Sequence, residues 1–286
     1  MNPMLTLVRA DGARFVFENT FEETEIDGAG TLIREIYSEA KGIGNGNVKT
    51  GSRIPPRSIV ISTCSVGADL NGENRRLIDT FVLPEEKYKL IVNYKGTERW
   101  IEGELEVMEL PLEYIREPQQ FNFNLYCVDP LFRSMDEFGK DIANITPTFG
   151  FPIMSPLPSA KPYSFGGNVV GVYDFTRTVF IANAGDFETF PRIVVQASAT
   201  VTDFCIRKNE KEYVKIIGNL VKGDVVEIDF GEQSVTKNGV NINRLIDRNS
   251  TFFMVDRGGV NVKYEAVQGE NSVKVSIFYN QLYKGV

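Results

Sequence analysis

The chain of 286 residues contains no histidine. That absence removes the Ser-His-Asp triad, the Cys-His nucleophile pair and any metal site built on imidazole. Tyrosine, lysine and carboxylates remain for chemistry, but the familiar hydrolases lose their usual base. Cysteine is scarce: Cys64, Cys127 and Cys205 are an odd number at wide spacing. They offer neither a disulfide framework nor a Cys-x-x-Cys zinc knuckle. Each stands among apolar neighbours and reads as a small buried side chain in a reducing compartment. Long apolar runs are absent, none approaching 18 residues, and the N-terminus has no basic-then-apolar signal. The sequence reads as neither membrane-spanning nor exported by the usual route. No repeat of fixed period and no low-complexity segment is present.

Positive charge is in short supply. Lys and Arg number 31 against 38 Asp and Glu, giving a net charge of −7. Residues 1–140 hold 16 cations against 23 carboxylates, and residues 141–286 hold 15 of each, so the whole excess lies in the first half. Such a surface does not attract phosphate backbones, which argues against sequence-independent nucleic-acid binding. It does let DNA pass close by without adhering.

What is present describes a turn-rich β protein. Apolar content is 42% and charged content 24%, with 25 Gly and 20 Phe, and the length suffices for two domains with cores of their own. Residues 4–8 and 14–17 flank Asp11-Gly12 as a hairpin. Residues 24–40 are polar with few aliphatic anchors, and Gly42 to Asn47 reads as an exposed loop. Residues 58–65 alternate as a strand. Leu77, Ile78, Phe81 and Val82 share one face of a short helix over 72–82, which Pro84 ends. Tyr88–Tyr94 and Arg99–Met108 pair across Lys95-Gly96, and Gln119–Asp129 alternates again. The Pro-, Gly- and Ser-rich tract 144–168 is expected to link a domain at 1–143 to one at 169–286, with 149–154 able to serve as an edge strand. The second half reads as strands throughout, at 169–174, 178–184, 191–198, 201–206, 211–217, 225–230, 234–237, 251–256, 260–266 and 273–280. They are punctuated by turns such as Asn238-Gly239.

The order of these signals resembles the distal tail family of long-tailed, non-contractile phages and prophages of Gram-positive hosts. In the second half the resemblance rests on Asn183-x-Gly185-Asp186-x-Glu188-Thr189-x-Pro191-x-Ile193. It continues with Gly223-Asp224, Ile228-Asp229, Asn238-Gly239, Ser250-x-Phe252-Phe253 and Gly258-Gly259-x-Asn261. In the first half it rests on Gly28-x-Gly30 to Arg34, Arg57-x-Ile59 and Arg75-Arg76-Leu77-Ile78, with Gln120-x-Asn122 through Cys127-x-Asp129-Pro130-Leu131-Phe132. The resemblance implies a mainly β protein. Its N-terminal ring-forming domain would be β-sandwich or split-barrel-like with one short helix, and its C-terminal domain a galectin-like β-sandwich. It further implies a homohexameric ring at the tail tip, through which DNA passes in transit. The ring would join the tail-tube protein to the tail-associated hub protein and, in some phages, receptor-binding proteins. No catalysis, cofactor or metal is implied, and the location would be the virion.

Glu102, Glu104 and Glu106 alternate along one strand and read as a solvated or interface face, lacking the contrasting environments that paired acid–base catalysis needs. Gly42-x-Gly44-x-Gly46 lacks the Lys-Ser/Thr of a phosphate loop. Asp186, Glu188, Asp224 and Asp229 read as turn-capping residues rather than calcium ligands. Trp100 reads as a core or subunit-contact residue. Arg34, Arg57, Arg75 and Arg76 stand out in an acidic domain and are candidate ring-interface residues, because a guanidinium forks onto a neighbour's carboxylate. Two alternatives stay open. One is a carbohydrate-binding module using Tyr173, Phe187 and Tyr213 in the second half. The other is a tail-associated enzyme, against which the missing histidine counts.

Overall fold

The structure is a computed structural model that describes residues 4–17, 21–65, 87–109, 119–141 and 177–286. The expected helix at 72–82, the strand at 169–174 and the linker tract 144–168 lie outside the described residues. The chain forms two compact units. One comprises Met1–Asp136, Gly185–Phe187 and Asn280–Val286, the other Glu137–Ala184 and Glu188–Tyr279.

The first unit begins with β1 (Met4–Arg9), β2 (Arg14–Val16) and β3 (Phe21–Asp27), then β4 (Glu35–Ala40) and β5 (Asn47–Arg53). It continues with β6 (Arg57–Ser65), β7 (Lys87–Tyr94), β8 (Thr97–Glu109), β9 (Gln119–Cys127) and β10 (Phe132–Ser134). Its main sheet runs β2-β1-β7-β8-β9-β6-β3, with each pair antiparallel. Alternation decides which face is inward. Leu5 and Leu7, Ile59 and Ile61, Tyr88, Leu90 and Val92, and Phe121, Phe123 and Leu125 all point into one core and are buried. Rings fill it in pairs, Phe15 on Phe17 at 5.0 Å and Phe17 on Phe123 at 6.2 Å. Each such ring contributes roughly 1.5–3 kcal/mol by leaving water. The β7–β8 turn is made by Lys95 and Gly96, both at positive φ (52° and 83°), as a two-residue hairpin loop requires. At Gly28, φ is +83° and an added Cβ would stand 2.3 Å from the Ser58 carbonyl oxygen, so only glycine lets the chain leave β3 there.

β4 and β5 stand apart as a two-stranded sheet that no third strand joins among the described residues. Their polar sequence follows from that: a hairpin with no buried face shows no alternation. The loop 41–46 at its tip is exposed, as its glycines suggested.

The second unit contains β11 (Phe138–Asp141), β12 (Thr178–Ile181), β13 (Arg192–Ala197), β14 (Val201–Thr202), β15 (Cys205–Arg207) and β16 (Tyr213–Lys215). Then follow β17 (Asn219–Leu220), β18 (Val225–Asp229), β19 (Ser234–Lys237), β20 (Val240–Asn241), β21 (Val260–Glu265) and β22 (Val273–Tyr279). One sheet runs β11-β22-β13-β18-β19-β20 and a second runs β12-β21-β15-β16, with β14 and β17 paired separately. Ile193, Val195, Val226, Ile228, Val275 and Ile277 of the first sheet share one buried core with Ile206, Val214, Val262 and Tyr264 of the second. The result is a β-sandwich. The fold class read from the sequence, mainly β with a sandwich in the second half, is what the structure shows. Two strands differ in detail. The run 201–206 is split by Asp203, which adopts φ 51°. Of 251–256 only Val255 makes a bridge, to Thr189, because Phe252 and Phe253 both turn onto Phe230, at 5.4 and 4.5 Å.

The chain's last strand, β23 (Leu282–Tyr283), belongs to the first unit and pairs with β10, which in turn pairs with β8.

Candidate assembly surfaces

Arg57 opens β6 in the same phase as Ile59 and Ile61, so it points inward and is only 6% exposed. Its Nη1 donates to the Ala29 carbonyl at 3.1 Å and its Nη2 to the Lys284 carbonyl at 2.6 Å. The guanidinium lies 5.3 Å from the centre of the Phe132 ring. Burial depresses its pKa, with the neighbouring Cys127 opposing the shift. Arg99 was not singled out in the sequence. It has the inward phase of Ile101, donates to the Gly285 carbonyl and stacks 3.7 Å from the Tyr283 ring centre. Two arginines therefore grip the segment 280–286 within the first unit. Arg34 is exposed at the root of the β4–β5 hairpin. Arg75 and Arg76 lie outside the described residues.

The acidic strand β8 carries Glu102, Glu104, Glu106 and Glu109 with no cation after Arg99. A bulge between Leu105 and Val107 makes Glu106 the extra residue, and its carboxylate accepts from Asn124 Nδ2 at 2.7 Å. Glu102 lies 3.5 Å from Lys87 Nζ. Glu104 and Glu109 are exposed and have no ion pair among the described residues. Trp100 is half-buried: Nε1 donates to the Ser134 carbonyl at 2.9 Å, and Lys89 Nζ sits 3.9 Å over the ring. It pins β8 to β10.

Of the carboxylates read as turn caps, Asp224 and Asp229 hold their turns, while Asp186 reaches a segment distant in sequence. Asp224 is buried; it accepts from Lys237 Nζ at 2.6 Å, from the Val221 amide at 2.8 Å and from Asn238 Nδ2 at 2.9 Å. These donors, the Lys237 ammonium first, lower its pKa to about 2. Asp229 accepts from the Glu232 amide, and Asp186 from the Lys284 amide. Cys127 and Cys205 are buried, and burial raises the Cys127 thiol to about 12; Cys64 is half-buried. A cavity of about 490 Å³ in the first unit has Glu25 and Asp27 as its charged lining and no lysine, arginine or cysteine. Of the three aromatic residues considered for a sugar platform, Phe187 falls in the first unit. Tyr213 falls in the second with its hydroxyl on Asp247, and Tyr173 is outside the described residues. No helix among the described residues is long and apolar enough to cross a membrane.

The remaining residues that carried the family resemblance also serve the fold. Asn183 is buried, with Nδ2 donating to the Val255 carbonyl and its own carbonyl accepting from Gly258. Ser250 Oγ accepts from the Lys215 amide. Asn238 and Gly239, at φ 51° and 79°, form the two-residue turn between β19 and β20. Gly259 has φ +115°, and an added Cβ would lie 2.3 Å from the Ile181 carbonyl oxygen. Residues 184–283 match the family model for the siphovirus-type tail component, C-terminal domain. The resemblance to siphophage distal tail proteins is borne out.

Solved structures extend the likeness in fold beyond those residues. The crystal structure of the SPP1 Dit (gp 19.1) protein is described as a paradigm of the hub adsorption apparatus in phages infecting Gram-positive hosts. It matches with a TM-score of 0.68 at 15% identity, over 97% of this chain and 98% of that one. Chains of the phage p2 baseplate in its activated conformation match at 0.57 with calcium and 0.56 with strontium. Both are 13% identical and covered in full on both sides. At such identities the likeness is one of fold. No curated protein matches the chain.

Proposed function

We propose that this chain is a structural adaptor of a siphophage tail tip. Six copies form a ring that joins the tail tube to the baseplate hub and the host-adsorption apparatus, and DNA crosses the ring in transit. The observation that carries the proposal is the distal-tail fold matched along nearly the whole chain, over both units. The proteins that share it are described as parts of a hub adsorption apparatus and a baseplate. The ring is assigned to the first unit and the galectin-like domain to the second; the expected division at 1–143 and 169–286 about a linker at 144–168 is adjusted, because β11 falls in the second unit and Asn280–Val286 in the first. Among the candidate interface arginines, Arg34 is exposed and free to reach a neighbour, while Arg75 and Arg76 keep the role proposed for them. Arg57 leaves the set of candidate interface residues, because it is buried and its guanidinium is taken up by the Ala29 and Lys284 carbonyls of its own chain. The acidic balance of the first half suits a wall that DNA phosphates slide past. The tail-tube and tail-associated hub proteins are the partners, with receptor-binding proteins a further one. The function works through shape and surface, and the virion is its place.

Negative-stain electron microscopy of the concentrated protein tests this. Six-fold rings with a central hole are expected. A protein that stays monomeric alone and also when mixed with its tube and hub proteins would refute the ring.

A further inference from the structure

We infer that the β4–β5 hairpin of one copy docks on the acidic strand β8 of a second copy, making a head-to-tail contact. The inference rests on the ring proposed above and names the two surfaces that would close it. A lone two-stranded hairpin is marginal in water. This one nevertheless exposes apolar side chains, with Ile43 at 96%, Ile36 at 64% and Val48 at 52% exposure. Apolar side chains left in water along one hairpin make it a candidate interaction surface. Charge says with what. Near its tip the hairpin carries Lys41 and Lys49 against the single carboxylate Glu39, while Glu35 is paired with Arg53, so the charge it leaves unpaired is positive on balance. Neither lysine has an ion pair among the described residues. From Trp100 to its end, β8 carries four glutamates and no cation, with Glu104 and Glu109 exposed and unpaired among the described residues.

A basic tip and an acidic strand on one chain are complementary between copies. Because the two surfaces differ, the contact is heterologous, and such contacts generate rings when the rotation closes. Opposed charges of this kind fix register and speed encounter, and like charges in their place repel.

The test is charge reversal with rescue in the full chain, read by light scattering after size exclusion. Lys41→Glu/Lys49→Glu and Glu104→Lys/Glu109→Lys are each expected to raise the concentration needed for assembly on the order of tenfold or more. The four-fold variant, with both surfaces reversed, should assemble like the wild type. All four positions are exposed, so melting temperatures should stay within a few degrees of the wild type. A wild type that never assembles, alone or mixed with its tube and hub proteins, removes the ring and this inference together. A wild type that assembles while both reversed pairs also assemble removes this inference alone, and would put the acidic strand on another surface such as the channel wall. Loss of assembly in both pairs without rescue in the four-fold variant also overturns the pairing.

Discussion

Replacing Arg57 by alanine should loosen the whole C-terminal segment. A buried charge without a carboxylate partner is costly on its own. Here the guanidinium is compensated by two carbonyl oxygens and a ring face, at 3.1, 2.6 and 5.3 Å. Two effects oppose each other on truncation. Removing the charge relieves its desolvation. It also removes two charge-assisted hydrogen bonds, each worth about 1.5–3 kcal/mol, and leaves acceptors whose unsatisfied burial costs about 1–3 kcal/mol apiece. The second effect wins because the Ala29 carbonyl is buried where water cannot replace the guanidinium, and the Lys284 carbonyl loses its anchor. A net loss of about 3–5 kcal/mol is expected. In a protein of this size each kcal/mol lowers the melting temperature by about 2–4 °C, so the transition should fall by roughly 10 °C. Hydrogen exchange localises the effect. The Gln281 amide donates to Ser134 Oγ and the Lys284 amide to Asp186, so both should exchange faster in the variant. Arg57→Lys can satisfy one carbonyl at a time and should recover part of the loss. A melting temperature within about 1 °C of the wild type, with both amides still protected, would refute this account of the segment.

Asp224 has a lowered pKa, so its stabilisation is complete above its ordinary value of 3.8 and is lost as pH falls through about 2. Urea unfolding should show Asp224→Asn less stable than wild type by about 1–2 kcal/mol at neutral pH, with the gap closing towards pH 2; a gap independent of pH would contradict the network. Gly259→Ala must push a Cβ into the Ile181 carbonyl at positive φ and should destabilise the second unit by more than about 2 kcal/mol, read by thermal melting. Thiol titration of the native protein near pH 8 should modify Cys64 well before Cys127, whose thiol burial raises to about 12, and before Cys205, which burial also raises. Equal rates at all three would show that both units open freely.

Legibility in the sequence followed burial. Tyr88, Leu90 and Val92, and Phe121, Phe123 and Leu125, alternate because one face of each strand meets a core, and both strands were readable for that reason. The turns at Lys95-Gly96 and Asn238-Gly239 were readable because positive φ selects glycine and asparagine. β4 and β5 were not readable, since neither face of Glu35–Ala40 is buried and nothing enforces a period. The role of Arg57 was legible and went unread. It sits two residues before Ile59 and four before Ile61, so the alternation that marks β6 already places it inward. Arg99 stands to Ile101 in the same way. The pairing of Leu282–Tyr283 with β10 has no local signal, because register between residues as far apart in sequence as Arg133 and Leu282 is set by the packed unit and not by the segment itself.

The same reasoning separates the residues that identify this chain from those that would let it act. Asn183, Asp224, Asn238, Ser250, Phe253 and Gly259 form the family pattern, and each is occupied with a backbone group, a turn or the core. Their spacing is constrained by the fold, which is why it is legible in the sequence. An assembly surface obeys no such internal constraint. It need only match its neighbour, so it can drift as long as the neighbour drifts with it, and when the neighbour is the same chain both halves are written in one sequence. Lys41 and Lys49 on one exposed element, with Glu104 and Glu109 on another, are complementary residues of that kind. They have no periodicity to reveal them, only charge without a partner, which becomes visible once the fold shows that the described residues leave them unpaired.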